Sequence, residues 1–148
     1  MLVFDVGCHV GEDTAFYLKK GFAVVGVEAN PALCHHLKRR FAQEITEGRF
    51  VLVEKAIAPH NGEITFYANE TTVWGTIDAA FAQRNAAVGA PSTKIAVHCT
   101  TFDALLREFG IPYYLKVDIE GADKLCLLGL KACNKRPRYI QSRMTKRN

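Results

Sequence analysis

Strand-like and helical segments alternate along this 148-residue sequence, which predicts an α/β fold with a parallel sheet covered by helices on both faces. Three observations carry that expectation. The sequence opens on a short apolar run, Leu2 to Phe4, that leads through Gly7 and Gly11 into a helical segment. A second apolar run follows almost at once and ends on an acid, Glu28. Near the far end, Tyr113 to Val117 repeats the pattern of an apolar run closing on carboxylates and a glycine, Asp118 to Gly121.

Each element has a local reason. Glu12 to Lys20 carries acids in its first turn and Gly21 at its exit, which suits the helix dipole and the usual glycine stop. Ala23 to Glu28 is the second strand. Asn30 and Pro31 cap a long helix in which Leu33, Leu37, Phe41 and Ile45 recur every four residues, and Gly48 ends it. Phe50 to Ile57 is the third strand, closed by the turn residues Pro59, His60, Asn61 and Gly62. Ile64 to Tyr67 and Ile95 to Cys99 are extra strands around a less regular stretch from Asn69 to Thr93, where a substrate-facing insertion would sit. Thr101 caps a short helix to Phe109. Tyr113 to Asp118 is a fourth core strand, Gly121 to Leu130 a helix, and Arg138 to Ile140 the start of a fifth strand.

Composition bounds the function classes. A chain of this length folds as a single domain, residues 1–148, and buries roughly 68–70% of its unfolded surface. Hydrophobic residues at 49% and charged residues at 23% are ordinary for a globular protein. No apolar run approaches the roughly 18 residues of a membrane span, and Asp5 interrupts the N-terminal run before it can act as a signal peptide. The five cysteines form no Cys-x-x-Cys pair, which argues against a disulfide framework or structural zinc and for a reducing, cytoplasmic setting. His35 and His36 are neighbours on a helix and point apart, a poor geometry for a metal. The net charge of +4 is local: seven of the 19 Lys/Arg residues lie in 131–148 without an acid, leaving 12 basic against 15 acidic residues elsewhere. That basic tail, from about residue 131, lacks interleaved aromatics, so it reads as solvated and not as a nucleic-acid surface.

The chemistry concentrates at the strand ends. Gly7 and Gly11 let the chain turn sharply from strand to helix and let a ligand approach the backbone. The spacing is not the Gly-x-Gly-x-x-Gly of dinucleotide enzymes, because position 9 is His. It is closer to the looser first motif of enzymes that use S-adenosylmethionine (SAM). Asp5, directly or through water, can attract the ammonium of that cofactor, and backbone N–H groups along Gly7, Gly11, Asp13 and Thr14 can hold its carboxylate. Glu28 can accept hydrogen bonds from both ribose hydroxyls. Ala56, with Ile57 and Ala58, offers a small apolar slot for adenine. At the second segment, Asp118 and Glu120 stand over the same crevice. One can deprotonate or orient a substrate hydroxyl, or both can help hold a divalent ion, although two carboxylates alone do not define a metal site and none is assigned. Glu120 and Asp123 also suit the start of the following helix.

Four segments together, Phe4 to Thr14, Val27 to Pro31, Trp74 to Thr76 and Tyr114 to Asp123, resemble the FkbM family of SAM-dependent methyltransferases over roughly residues 2 to 140. The resemblance implies a Rossmann-like methyltransferase sheet and methyl transfer to a hydroxyl oxygen of a small molecule such as a sugar or polyketide. It carries the cofactor role onto Asp5, Gly7, Gly11 and Glu28 and places Asp118 and Glu120 at the active-site edge. After Ile140 the sequence lacks the final strand pair of that sheet, so an exposed sheet edge is expected, with pairing to a second copy of the chain as its consequence. Two other readings stand beside methyl transfer: a SAM-binding domain without turnover and, less well matched by the glycine spacing, a nicotinamide-dependent oxidoreductase.

Overall fold

The computed structural model describes residues 1–69 and 75–143, and Trp74 lies outside them. Five parallel strands form the main sheet: β1 (Leu2–Val6), β2 (Ala23–Val27), β3 (Phe50–Val53), β7 (Tyr114–Val117) and β8 (Tyr139–Ser142), in the order β3-β2-β1-β7-β8. A second sheet joins β4 (Ala56–Ile57), β5 (Gly62–Asn69) and β6 (Ser92–Thr100) in the order β4-β6-β5, with β5 and β6 antiparallel. The helices are α1 (Glu12–Lys19), α2 (Pro31–Arg40), α3 (Ala42–Thr46), α4 (Ala79–Ala87), α5 (Phe102–Phe109) and α6 (Asp123–Lys131).

Alternation along the strands sorts the core into two layers. Phe4, Val6, Val25, Val27, Leu115 and Val117 point to the face covered by α5 and α6, against Phe102, Leu105, Leu106, Cys126 and Leu130. Val3 and Val24 point the other way and meet Leu18 of α1, Leu37 of α2, Phe41 and Phe50. The helices therefore lie on both faces of the parallel sheet, as the sequence predicts.

Four segments differ from the sequence expectation. The helix from Asn30 splits into α2 and α3 at Phe41, which leaves the helical region at φ −112° and ψ 29°, and a spacing of four residues drifts about 40° per step around a helix of 3.6 residues per turn. Ile45, three steps on, ends at the surface while Leu33 and Leu37 are buried. The strand expected over Phe50 to Ile57 leaves the main sheet after Val53, and Ala56 and Ile57 pair with Cys99 and Thr100 in the second sheet. The irregular stretch contains α4, whose N-cap Asp78 accepts hydrogen bonds from the N–H groups of Ala80 and Phe81. The helix expected from Gly121 starts at Asp123, since Gly121 turns at φ 79° with the Phe81 ring packed where a Cβ would stand.

One pair in the main sheet is charged. Asp5 and Lys116 are register partners on β1 and β7, and the Lys116 Nζ donates to Asp5 Oδ1 at 2.9 Å under the start of α1. Asp5 is fully buried, and its other oxygen accepts from the Thr14 hydroxyl at 2.7 Å. Lys116 also reaches Asp13 at 3.1 Å. Burial alone depresses the Lys116 ammonium, but Asp5 and Asp13 beside it outweigh burial and hold its pKa above the usual lysine value. Replacing Lys116 by Met leaves Asp5 buried and unpaired, and the expected loss is about 3–5 kcal/mol of unfolding free energy. Urea denaturation of the variant measures this, and a loss under about 1 kcal/mol would show that Asp5 does not depend on the pair.

Candidate functional site

Where the main sheet ends, the chain leaves a cavity of about 320 Å³ over the C-terminal ends of β1, β2 and β7. Open α/β sheets bind their ligands in this crevice. Gly7 and His9 form its floor beyond β1, and Glu28 its wall beyond β2. Ala56 and Ile57 stand to one side, Asp118 and Glu120 to the other, and Phe66 of β5 closes it together with Thr76 and Ile77 from the segment before α4.

The strand tips are held close by backbone hydrogen bonds. Gly7 N–H donates to the Val27 carbonyl at 2.8 Å, and Asp118 N–H donates to the Val6 carbonyl at 2.9 Å. Gly7 has φ 82°, and a Cβ there would collide with the Asp118 carbonyl. Glycine is thus required by both the turn and the neighbouring strand. Gly11, at φ 84°, is the N-cap of α1, and its missing side chain makes room for Phe41 and Leu37.

Glu28 is 8% exposed. Its Oε2 accepts from His9 N–H at 3.0 Å and its Oε1 from Asn30 N–H at 2.9 Å. Asn30 in turn caps α2 through Ala32 N–H, so the helix start fixes the loop that carries the carboxylate. Burial pushes the Glu28 carboxyl up, while the N–H groups of Asn30, His9 and Ala29 pull it back down. A carboxylate has about four lone-pair sites, so acceptor capacity remains for a ligand donor.

The opposite side is acidic and tied to its surroundings. Asp118 faces Arg143 at 3.9 Å, and Glu120 pairs with Arg84 of α4 at 3.1 Å. The Thr76 hydroxyl donates to the Glu120 carbonyl at 2.6 Å, which fastens the segment before α4 to the turn after β7. Asp123 accepts from Ile119 N–H and from the Ser142 hydroxyl, stapling that turn to β8. Burial pushes the Asp123 carboxyl up to about 6, with those two donors acting against it.

Of the residues expected from sequence, Gly7, Glu28, Ala56, Asp118 and Glu120 line the cavity. Asp5, Gly11, Asp13 and Thr14 do not. Asp5 and Thr14 are buried beneath α1, Asp13 faces Lys116, and Gly11 is packed against Phe41. The sequence reading passed over His9, Lys55, Phe66 and Arg143, which share the cavity wall, and Lys116. A signal for Lys116 was present, since a lysine between Leu115 and Val117 in a core strand needs an acid partner. Among the described residues, no group of three or more His, Cys, Asp or Glu is placed to hold a metal ion, and no helix is long and apolar enough to cross a membrane.

Comparison with known proteins bears on this arrangement. The chain superposes on the crystal structure of methyltransferase FkbM from Methylobacillus flagellatus KT with a TM-score of 0.55 at 16% sequence identity. The match covers 87% of this chain and 28% of that one, so it speaks to the fold, and this chain spans under a third of that protein's length. No curated protein sequence matches the chain. The methyltransferase FkbM domain profile matches residues 5–148, nearly the whole sequence. With the parallel sheet, the crevice at its strand ends and that match taken together, the chain belongs to the FkbM methyltransferase family.

Proposed function

We propose that the protein is a SAM-dependent methyltransferase that transfers a methyl group to a hydroxyl oxygen of a small molecule such as a sugar or polyketide. The observation that carries this reading is Glu28: a buried carboxylate on the cavity wall, fixed by two backbone N–H groups, with acceptor capacity left for paired hydroxyls. Ala56 and Ile57 beside it offer a flat apolar surface for adenine. The residues present fit the cofactor at its adenosine end. At the amino-acid end Asp5 is spoken for by Lys116 and Thr14, so contacts there fall to the backbone between Gly7 and Thr14, with Asp13 at the exposed margin. SAM supplies an electrophilic methyl group when bound.

The protein's own residues align the acceptor and exclude water. Asp118 accepts a hydrogen bond from the acceptor hydroxyl and turns its oxygen toward the cofactor side of the cavity. Glu120, paired with Arg84 of α4, stands at the edge of the active site. A reducing, cytoplasmic setting belongs to the same reading, since all five cysteines are free.

Replacing Glu28 by Ala removes two hydrogen bonds accepted by a charged group and should weaken SAM binding by about 2–4 kcal/mol. Because the same change strips His9 and Asn30 of their acceptor, a lower melting temperature is expected with it. Calorimetric titration below both melting transitions separates the two effects, and unchanged affinity there would take Glu28 out of the site. Asp118→Asn should cut methyl transfer roughly 10²–10⁴-fold with little change in SAM affinity. The assay is labelled SAM against a panel of glycosides and hydroxylated small molecules. Wild-type protein that binds SAM and methylates none of them would leave a binding domain without turnover.

A further inference from the structure

We propose that the end of the main sheet opposite the crevice is a docking surface for an anionic membrane. The inference stands on surface residues that take no part in the methyl-transfer reading.

The parallel sheet places this surface. All its strands run the same way, so the crevice lies at one end and the residues entering β7 and β8 lie at the other. Between the end of α5 and the loop after α6 runs an open groove of about 350 Å³. Leu106, Ile111 and Cys133 give it an apolar lining, and Arg107 and Lys135 stand in its wall. Ile111 leads into Tyr113, whose ring meets that of Tyr139 edge to face at 5.5 Å, and both rings are exposed. The loop is fastened to the same place, because Arg138 N–H donates to the Tyr113 carbonyl at 3.0 Å. Groove, loop and tyrosines therefore form one surface.

The sequence alone leaves the basic tail as a solvated run. The structure adds that its cations gather round apolar ground. Lys131, Lys135, Arg136 and Arg138 are all exposed, and residues 124–143 contain no acid. Among the described residues, none of these four lies within ion-pair distance of a carboxylate. On α5, Arg107 pairs with Asp103 and Glu108 follows it, so the surplus of positive charge comes from residues 131–138.

An anionic bilayer complements both halves of this surface. Its phosphates face the cations, and each Lys or Arg near such a surface strengthens binding about fivefold. Its interfacial zone suits tyrosine, which has an apolar body and a polar tip. A small free anion engages one or two cations and leaves the groove and the rings bare. Docked by this end, the protein keeps the crevice turned toward water.

The test is co-sedimentation of the whole chain with sucrose-loaded vesicles, either pure phosphatidylcholine or phosphatidylcholine with about a third phosphatidylglycerol. Binding to the anionic vesicles should exceed binding to the neutral ones at least tenfold at about 0.1 M salt, and most of it should be lost at about 0.5 M. Replacing Lys131, Lys135 and Arg138 together by Gln should weaken it roughly 100-fold, and Lys135→Gln alone about fivefold. Lys94→Gln, in the second sheet, should leave it unchanged. Tyr139→Ser should weaken binding several-fold with the same salt dependence. Far-UV circular dichroism checks that each variant is folded. Failure to bind anionic vesicles, equal binding to both kinds, or full binding by the folded triple variant would overturn the proposal. So would an equal loss in Lys94→Gln, which would reduce the effect to net charge. None of these results bears on SAM binding or methyl transfer, which are assayed without vesicles.

Discussion

A buried ion pair between two neighbouring parallel strands sets the geometry on which the crevice depends. Asp5 and Lys116 sit in register at the centre of the sheet, in a layer otherwise made of Val3, Val24, Leu18, Leu37 and Phe41. Removing two charges from water costs several kcal/mol per ion, so such a pair is tolerable only when its remaining hydrogen-bonding capacity is met. Thr14 and Asp13 meet it, and both belong to α1. The pair thus specifies where the first helix must dock as well as which strands must be adjacent.

Consequences run outward from that docking. With α1 fixed over Asp5, the segment from Gly7 to Gly11 has to turn within five residues, and the left-handed angles at Gly7, His9 and Gly11 are the result. The turn carries His9 N–H to Glu28 and so ties the end of β1 to the end of β2. Gly26, the Asp5 partner on the other side, has no side chain because the Phe50 ring lies 2.6 Å from where its Cβ would be. A charged pair, a small neighbour and a large ring share one layer. The crevice is therefore shaped by contacts beneath it, and the groups that line it can be exposed to a ligand without being loose.

Much of this was legible in the sequence. Short apolar runs ending in glycine and acid gave the parallel strands and the side of the sheet on which the crevice lies, because periodicity and turn chemistry act locally. Glu28, Ala56 and Asp118 line the cavity, and their position at strand ends points to it from the sequence. What escaped was set by contacts distant in sequence. Asp5 looked available to a ligand because its partner is 111 residues away. Helix α4 was hidden in a stretch with little amphipathic pattern, although Asp78 before an alanine-rich run is an N-cap signal. The split of the third strand depended on β6 offering Cys99 and Thr100 as partners, which no local feature of residues 50–57 announces. His9 was noticed only as a break in glycine spacing, since its contribution to the cavity follows from a backbone angle.

The central claim is that the crevice holds a SAM-type cofactor through Glu28 and the turn after β1. Thermal denaturation of the whole chain with increasing S-adenosylhomocysteine tests it most directly, with NAD as the comparison, because a ligand that binds only the folded state stabilises it by RT ln(1 + [L]/Kd). The expected result is a melting temperature that climbs with S-adenosylhomocysteine, reaching about 2.7 kcal/mol of stabilisation at 100 times Kd, and does not move with NAD. A rise with NAD alone, or with neither ligand at millimolar concentration, would contradict the assignment.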